Sequence, residues 1–206
     1  MRKHYFSNFS IYESFSEFFK QEIKQTAGRL MFIDFGCGPM TSEIAFNQLF
    51  KSSFEGFRFK YFGIDISNAI LDMVRVFSKS SLFSQSSKFE FTNSIKQIDK
   101  DSLEENLRVS NTVILNFSYL FANLTIDQTI DLANEINRLV AAFPLSKYII
   151  VYQNPVHRPH NYAKFKKTLK NFDKEIVHKS ETVSYKNDHQ HCYGKTETFT
   201  YEILSN

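Results

Sequence analysis

The sequence predicts a single α/β domain, residues 1–206, with a seven-stranded, mostly parallel sheet, helices on both faces and a C-terminal antiparallel strand pair. Apolar strand-like runs alternate with helix-like segments along the chain, which is typical of right-handed crossovers in a parallel sheet. The last two strand-like segments have no helix between them, so they are expected to pair antiparallel. The length suits one well-buried domain and is short for two.

The hydrophobic periodicity predicts each element in turn. Residues 11–25 have apolar side chains at helical spacing and predict a helix within an N-terminal segment, residues 1–28, that would cover the domain as a lid. Strands are predicted at residues 30–35, 59–64, 89–92, 112–117 and 148–152, and helices at residues 41–51, 68–78, 102–107, 126–143 and 162–172. The closing strands are predicted at residues 176–185 and 196–204.

Composition narrows the class of protein. Apolar residues make up 42% of the chain, which favours a packed globule, and no apolar run approaches the roughly 20 residues that a membrane span needs. The N-terminus has basic residues but no apolar stretch behind them, so no signal peptide is predicted. The two cysteines, Cys37 and Cys192, lie far apart and predict no disulfide framework. We therefore expect a cytoplasmic protein without a membrane partner.

The loop after the first strand indicates a ligand site. Residues 31–41 read MFIDFGCGPMT, an apolar run that ends in Asp34, continues through Gly36 and Gly38, and leads into a helical pattern. Glycine lets the backbone approach a ligand closely, and the start of a helix offers free N–H groups to an anionic group. Open parallel sheets bind ligands beyond the carboxyl ends of their strands, which is where this loop lies.

A second acidic residue, Asp65, ends the second predicted strand beside this loop. A carboxylate there could accept hydrogen bonds from two ribose hydroxyls. The alternative is a turn residue or helix cap, a role that Ser67 could also take. Two other nucleotide motifs do not fit, because Thr41 stands where a dinucleotide fingerprint has its third glycine and no phosphate-binding P-loop is present.

Residues 33–39, IDFGCGP, resemble motif I of the class I S-adenosylmethionine-dependent methyltransferases, and Asp65 matches that family's acidic residue at the end of strand two. The order of elements is similar to the family's Rossmann-like fold over nearly the whole chain. The resemblance implies a methyltransferase that binds S-adenosylmethionine. It departs from the family at Met40, where many members have a further glycine.

The resemblance also implies which residues contact the cofactor. The first-strand loop would contact the methionine portion through Asp34, Gly36, Cys37, Gly38 and Pro39. The ends of strands two and three would contact the ribose and adenine through Asp65, Ile66, Asn93 and Ser94. The end of strand four would lie under the sulfonium and the target atom, with Asn116, Phe117 and Ser118.

Fewer residues are candidates for binding or activating the methyl acceptor. Tyr119 closes a tetrad whose ends match the motif of amino-methylating relatives, although both prolines of that motif are absent. In the loop after strand five, His157 or His160 could act as a base and Arg158 could bind an anionic substrate. Tyr12 of the predicted lid could place a ring near the cationic cofactor. The alternative for these residues is a solvated loop or core packing without a chemical role.

The resulting hypothesis is methyl transfer to a small-molecule acceptor, with oligomeric state left open. No metal site is predicted, because His189, His191 and Cys192 have no second cluster at ligand spacing. The net charge of +3 is too small to indicate a polyanionic partner. One alternative is RNA or protein methylation, aided by four lysines on one predicted helix: Lys164, Lys166, Lys167 and Lys170. The other is a non-catalytic partner subunit with the same fold.

Overall fold

A computed structural model describes residues 2–26, 29–51, 58–83, 87–98, 100–109, 112–157, 160–185 and 195–206. The strands are β1 (Arg29–Phe35), β2 (Arg58–Ile64), β3 (Lys88–Thr92), β4 (Thr112–Ser118), β5 (Lys147–Pro155), β6 (Lys174–Tyr185) and β7 (Lys195–Ser205). The helices are α1 (Arg2–Ser14), α2 (Ser16–Gln25), α3 (Thr41–Phe50), α4 (Asn68–Phe77), α5 (Lys100–Val109), α6 (Ile126–Ala142) and α7 (Tyr162–Thr168). A short 3-10 helix, Ile95–Gln97, precedes α5.

The seven strands form one sheet in the order β3-β2-β1-β4-β5-β7-β6. Strands β1 to β5 are parallel, and β7 inserts antiparallel between β5 and β6. The predicted fold is therefore confirmed. The strand order reverses between β1 and β4, which brings the carboxyl ends of these two central strands to the point where open sheets bind ligands.

The predicted elements are present with small shifts at their ends. Strand β5 continues to Pro155, because it pairs with β7 as far as Phe199. Helix α7 ends at Thr168, before the predicted residue 172, because Leu169 is extended. The N-terminal helix predicted over residues 11–25 is instead two helices, which begin at Arg2 and break at Phe15. The first turns of α1 were missed because they bury polar side chains, which weakens the amphipathic pattern.

Two apolar cores cover the two faces of the sheet. Helices α1 to α4 pack on one face and α5 to α7 on the other. The first core is rich in rings: Phe46 lies 5.2 Å from Tyr12, 5.6 Å from Phe19 and 4.6 Å from Phe50, measured between ring centroids. The high aromatic content of the chain is therefore used largely in packing. No helix in the described part of the chain is both long and apolar enough to cross a membrane.

Candidate functional site

The glycine loop ties the end of β1 to the end of β2. The backbone N–H groups of Gly36 and Cys37 both donate to the carbonyl oxygen of Ile64, at 2.8 and 3.0 Å. Gly36 and Gly38 have positive φ angles of 71° and 47°, which glycine adopts without steric cost. A Cβ built on Gly38 would meet only the carbonyl oxygen of Gly36, at 3.9 Å, so the space beside it is open.

Met40, which stands where the methyltransferase motif often has glycine, also has a left-handed backbone, with a φ angle of 60°. Its N–H donates to the carbonyl oxygen of Cys37 at 2.9 Å, and its side chain is fully buried in the first core. Met40 therefore adopts the left-handed backbone conformation that glycine adopts most easily. Burial of the methionine side chain offsets the cost of a left-handed residue that carries a Cβ.

Asp65 joins the glycine loop to the start of α4. One carboxylate oxygen accepts a hydrogen bond from the N–H of Gly38 at 3.1 Å, and the other accepts from the N–H of Ser67 at 2.9 Å. Ser67 in turn caps α4 by accepting from the N–H of Ile70. Because each carboxylate oxygen has two lone pairs, Asp65 keeps acceptor capacity for ligand hydroxyls while it holds the turn.

A cavity of about 510 Å³ opens at the carboxyl edge of the sheet, between these loops and the N-terminal half of α6. It is lined by seven of the residues that the sequence predicts for the site: Gly36, Asp65, Ile66, Asn93, Ser94, Ser118 and Tyr119. The side chain of Ile66 is 92% exposed and offers an apolar surface on the cavity wall. The structure thus brings the ends of β1, β2, β3 and β4 to one cavity.

Sequence reasoning missed the wall that α6 contributes. Gln128, Asp131 and Glu135 line the cavity, and so do apolar residues such as Phe35 and Leu120. The α6 residues are spaced three and four positions apart, which places them on one helical face and could have indicated a second polar surface.

The charge of the described lining is negative. Asp65, Asp131 and Glu135 supply three carboxylates, and Lys96 is the one ammonium among the described lining residues. Lys96 is itself paired with Glu135 at 3.1 Å. This charge suits a cationic ligand and opposes one that carries phosphates.

Asn93 and Ser94 fix the loop that follows β3 as well as lining the cavity. The Asn93 side-chain amide donates to the carbonyl oxygen of Asp65 at 3.0 Å and to Asn68 Oδ1 at 3.1 Å. Ser94 Oγ accepts from the N–H of Lys96 at 3.3 Å and so begins the 3-10 helix. These bonds hold the third strand's loop against the turn at Asp65.

Asp34 does not line the cavity. It is 1% exposed, on the sheet face covered by α1, and accepts hydrogen bonds from Tyr61 Oη at 3.0 Å and from the Asn116 side-chain amide at 2.7 Å. Burial raises the pKa of Asp34 to about 6, because these neutral donors compensate the lost hydration only in part. Asn116 also receives a hydrogen bond from Tyr12 Oη at 3.2 Å. Tyr12 is therefore a buried link between α1 and β4.

Four other residues predicted for the cofactor site do not line the cavity: Cys37, Gly38, Pro39 and Phe117. Cys37 is buried, and its burial raises the pKa of the thiol. Phe117 lies on the face of the sheet covered by α5 to α7, where its ring stacks on the lining residue Phe35 with centroids 4.8 Å apart. Pro39 lies in the turn before α3 and does not line the cavity.

Glu43, in the first turn of α3, is a buried acid that sequence reasoning missed. It is 1% exposed, and neither carboxylate oxygen has a hydrogen-bond partner among the described residues. Burial and the nearby charge of Asp34 raise the pKa of Glu43 well above its usual range. Burial thus shifts both acids toward their protonated forms, Glu43 more strongly than Asp34.

Helix α1 covers the ends of β4 and β5. Ser7 Oγ lies 3.2 Å from Tyr119 Oη, and the Asn8 side-chain amide donates to Ser118 Oγ at 3.2 Å. The His4 ring stacks on the Tyr119 ring, with centroids 4.0 Å apart. Burial raises the pKa of the Tyr119 hydroxyl to about 12, so this group stays protonated at neutral pH.

The histidines proposed as bases lie outside the cavity lining. His157 is exposed, and His160 lies 3.2 Å from Tyr152 Oη, where partial burial lowers the pKa of its imidazole. Before them, the N–H of Val156 pairs with the carbonyl oxygen of Thr198 on β7, so the described chain follows the sheet as far as this residue. Arg158 lies outside the described residues, and so do the candidate zinc ligands His189, His191 and Cys192.

One group in the described part of the chain has metal-ligand composition, Glu175, His178 and Glu202, with ligand atoms within 4.8 Å of one another. The Lys166 ammonium already donates to Glu175 at 2.9 Å and also to Glu202. Glu202 is 1% exposed and further accepts from Tyr162 Oη. The group is therefore an ion-pair network whose cation is a lysine.

Comparisons with known proteins agree with this architecture. A precorrin-6y C5,15-methyltransferase from Geobacter metallireducens is similar in structure over 86% of this chain and 80% of its own, with a TM-score of 0.51 and 14% sequence identity. This chain has the class I methyltransferase fold. Methyltransferases from Anabaena variabilis and Methanosarcina mazei align more loosely, each with a TM-score of 0.46, at 9% and 11% identity. They cover 85% and 86% of this chain, and 76% and 91% of their own chains.

No protein-family model matches the chain, and no curated protein does. At these identities the likeness of solved structures shows the fold alone. In this chain the cavity described above lies at the carboxyl ends of β1 and β4, the two strands between which the strand order reverses.

Proposed function

We propose that this protein binds S-adenosylmethionine in the cavity beside the glycine loop and transfers the methyl group to a small-molecule acceptor. The supporting observation is the convergence of Gly36, Asp65 and Ser118 on one cavity of about 510 Å³ at the reversal of strand order. That volume is in the range of pockets that enclose a ligand of this size.

The residues present fit the cofactor chemically. Asp65 retains acceptor capacity for the two ribose hydroxyls, and Ile66 and Leu124 offer apolar surface to a flat base. The surplus of carboxylates suits a sulfonium and an ammonium group better than it suits phosphates, which argues against a dinucleotide. The open space beside Gly38 leaves room for the ligand to approach the backbone.

The chain's own contribution to the reaction is positioning and exclusion of water. The cofactor, when bound, supplies an activated methyl group. Gly36, Asp65 and Ile66 would hold the cofactor, which would supply its methyl group to a lone pair of the acceptor, and the acceptor's proton would leave to water. Orientation of the two reactants is worth about 7–11 kcal/mol in favourable cases. Tyr119, protonated at neutral pH, would serve as a hydrogen-bond donor and not as a base.

A small acceptor is favoured because α1 covers the ends of β4 and β5 beside the cavity. The alternative of an RNA acceptor is supported by exposed lysines on and after α7, Lys164, Lys167 and Lys170. An RNA ligand would bind with a steep dependence on salt concentration. A small, uncharged acceptor would not.

The decisive experiment is calorimetry with S-adenosylhomocysteine on the full chain. The parent protein is expected to bind, and Asp65→Ala to bind at least about tenfold more weakly, because hydrogen bonds to a charged group are lost. Asp72→Ala is the matched control, since Asp72 is an exposed carboxylate on α4 paired with Arg75. Absence of binding by the parent, or equal binding by Asp65→Ala, would contradict the proposal. Methyl transfer to candidate acceptors then separates an enzyme from a partner subunit.

A further inference from the structure

Strand β6 is an edge strand of the sheet. It pairs with β7 on one side, and no element in the described part of the chain pairs with its other side. The strand has 12 residues, about twice the usual length, and contains no proline. From Val177 to Tyr185 its register against β7 is regular, since the one irregularity lies between Glu175 and Val177. This edge therefore offers a long row of backbone N–H and C=O groups for pairing.

The two faces of β6 have different surroundings. Glu181 Oε1 accepts a hydrogen bond from Ser10 Oγ of α1 at 2.6 Å, and Val183 packs against the first core. Ser180 and Thr182 alternate with them along the strand and are exposed on the opposite face. A second chain that continues the sheet at this edge, with its own α1 on the same side, must therefore place odd-numbered residues of its β6 opposite odd-numbered ones.

The face of β6 toward α1 carries two opposite charges without counter-ions. Lys179 is exposed, and it has no ion-pair or hydrogen-bond partner among the described residues. Glu181 is half-buried, its Oε2 has no hydrogen-bond partner in the same part of the chain, and no described ammonium group pairs with it. An ammonium group that a neighbouring strand brought to this edge would compensate the charge of Glu181.

We infer that this protein forms a symmetric dimer in which β6 pairs antiparallel with β6 of a second copy, with Ser180 on the two-fold axis. In this register Lys179 of each chain lies directly opposite Glu181 of the other, and Val177 lies opposite Val183. The two seven-stranded sheets then continue as one, with both α1 helices on the same side. The inference concerns the assembly and does not depend on the proposed cofactor.

The two charges select this register among the neighbouring ones. If the axis moves by one residue to Lys179, the two lysines at that position oppose each other. If the axis moves to Glu181, two glutamates oppose each other. Opposite charges stabilise a cross-strand pair and like charges destabilise it, and the two-fold axis makes each contact occur twice. The edge is therefore complementary to itself, which favours a second copy of this chain over an unrelated strand.

Sedimentation velocity of the full chain, between about 1 µM and about 100 µM, measures the dimer. The parent is expected to dimerise. Lys179→Glu and Glu181→Lys each place two pairs of like charges across the axis, so each is expected to raise the dissociation constant at least about tenfold. An equimolar mixture of the two variants is expected to dimerise as the parent does, because the two chains then oppose unlike charges at both places. The double variant Lys179→Glu/Glu181→Lys is expected to dimerise for the same reason.

Lys164→Glu is the matched control, because Lys164 is exposed on α7 and undergoes the same change of charge. It is expected to leave the dissociation constant unchanged. A monomeric parent, a dimer that neither charge variant weakens, an equal loss in Lys164→Glu, or no recovery in the mixture would overturn the inference. Thermal unfolding of each variant checks the fold, since Glu181 also bonds Ser10. If Glu181→Lys does not fold, Glu181→Gln should weaken the dimer less than Lys179→Glu does, and an equal effect of the two would contradict the register.

Discussion

Asn116 and Asp34 face each other across the pairing of β1 and β4, and the Asn116 side-chain amide donates to Asp34 Oδ1 at 2.7 Å. The same amide donates to Ser42 Oγ at 3.0 Å, and Tyr61 supplies the second donor to Asp34. The described hydrogen-bond partners of this buried carboxyl are thus neutral. The Asp34 carboxyl thus links β1 to β2 and β4 and, through Asn116, to α3. Neutral donors stabilise its ionised form less than a positive charge would, so its pKa stays raised.

Asp34→Asn is expected to make folding less sensitive to pH. Burial raises the pKa of Asp34 from 3.8 to about 6, so the native state holds this proton more tightly than the unfolded chain does. The stability of the parent therefore falls as pH rises from about 4 to about 6, by about 3 kcal/mol at most, and stays lower above that. The asparagine is nearly isosteric, and the Tyr61 hydroxyl can accept where it now donates. Urea unfolding between pH 4 and pH 8 measures the difference.

The matched control is Asp72→Asn, the same chemical change on the exposed face of α4. The advantage of Asp34→Asn over its parent should grow through the window from pH 4 to pH 6, while Asp72→Asn tracks the parent throughout. A constant difference at all pH values would show that Asp34 is already ionised in the native state under these conditions.

Gly38→Val is expected to weaken binding of S-adenosylhomocysteine at least about tenfold while the protein still folds. The branched side chain would enter the open space beside the loop and strain a residue whose φ angle is 47°. Gly63→Ala is the contrasting variant, because its Cβ would lie 2.7 Å from Phe91 Cδ1 inside the sheet. It should lower the melting temperature. Calorimetry and thermal unfolding on both variants give the comparison, and unchanged affinity in Gly38→Val would place the ligand elsewhere.

Met40→Gly is expected to be more stable than Met40→Ala by about 1 kcal/mol, because both lose the buried side chain but only glycine relieves the left-handed backbone. Met31, fully buried in β1, provides the control. There the order should reverse, since glycine weakens a strand interior. Urea unfolding of the glycine and alanine variants at both positions measures their free energies of unfolding. If alanine is more stable than glycine at both positions, Met40 carries no backbone strain.

Lys166→Met is expected to lower the free energy of unfolding by about 1.5–3 kcal/mol, because it leaves the buried carboxylate of Glu202 without its ammonium partner. Adding Glu202→Gln should recover part of the loss, since the buried charge is then removed as well. Lys164→Met, exposed on the same helix, should be close to neutral. Chemical unfolding of the parent, both single variants, the double variant and Lys164→Met tests this, and additive effects of Lys166→Met and Glu202→Gln would show that the pair is not coupled.

Much of the fold could be predicted because the signals are local. The alternation of strand and helix patterns, the missing helix between β6 and β7, and the glycine loop each lie within a short stretch of chain. The positions of Asp65, Asn93 and Ser118 at strand ends follow from the parallel topology, which gathers those ends at one edge.

The remaining features depend on contacts between distant parts of the chain. The first turns of α1 were missed because Ser7 and Asn8 are polar although buried, and their partners Ser118, Tyr119 and Gln153 lie more than a hundred residues away. The wall that α6 contributes to the cavity was missed because the spacing of Gln128, Asp131 and Glu135 shows a shared helical face, and only the tertiary structure decides which strand ends that face meets.

The amino-acid sequence by itself determined the order and type of the elements and the loop that approaches a ligand, because periodicity and glycine act over a few residues. The tertiary structure decided which side chains of that loop reach the cavity. Asp34 and Asp65 both end strands, yet pleating points Asp34 into the covered face of the sheet, whereas Asp65, just past the end of β2, lies at the cavity. That difference follows from how the strands and α1 pack, which no short stretch of chain specifies.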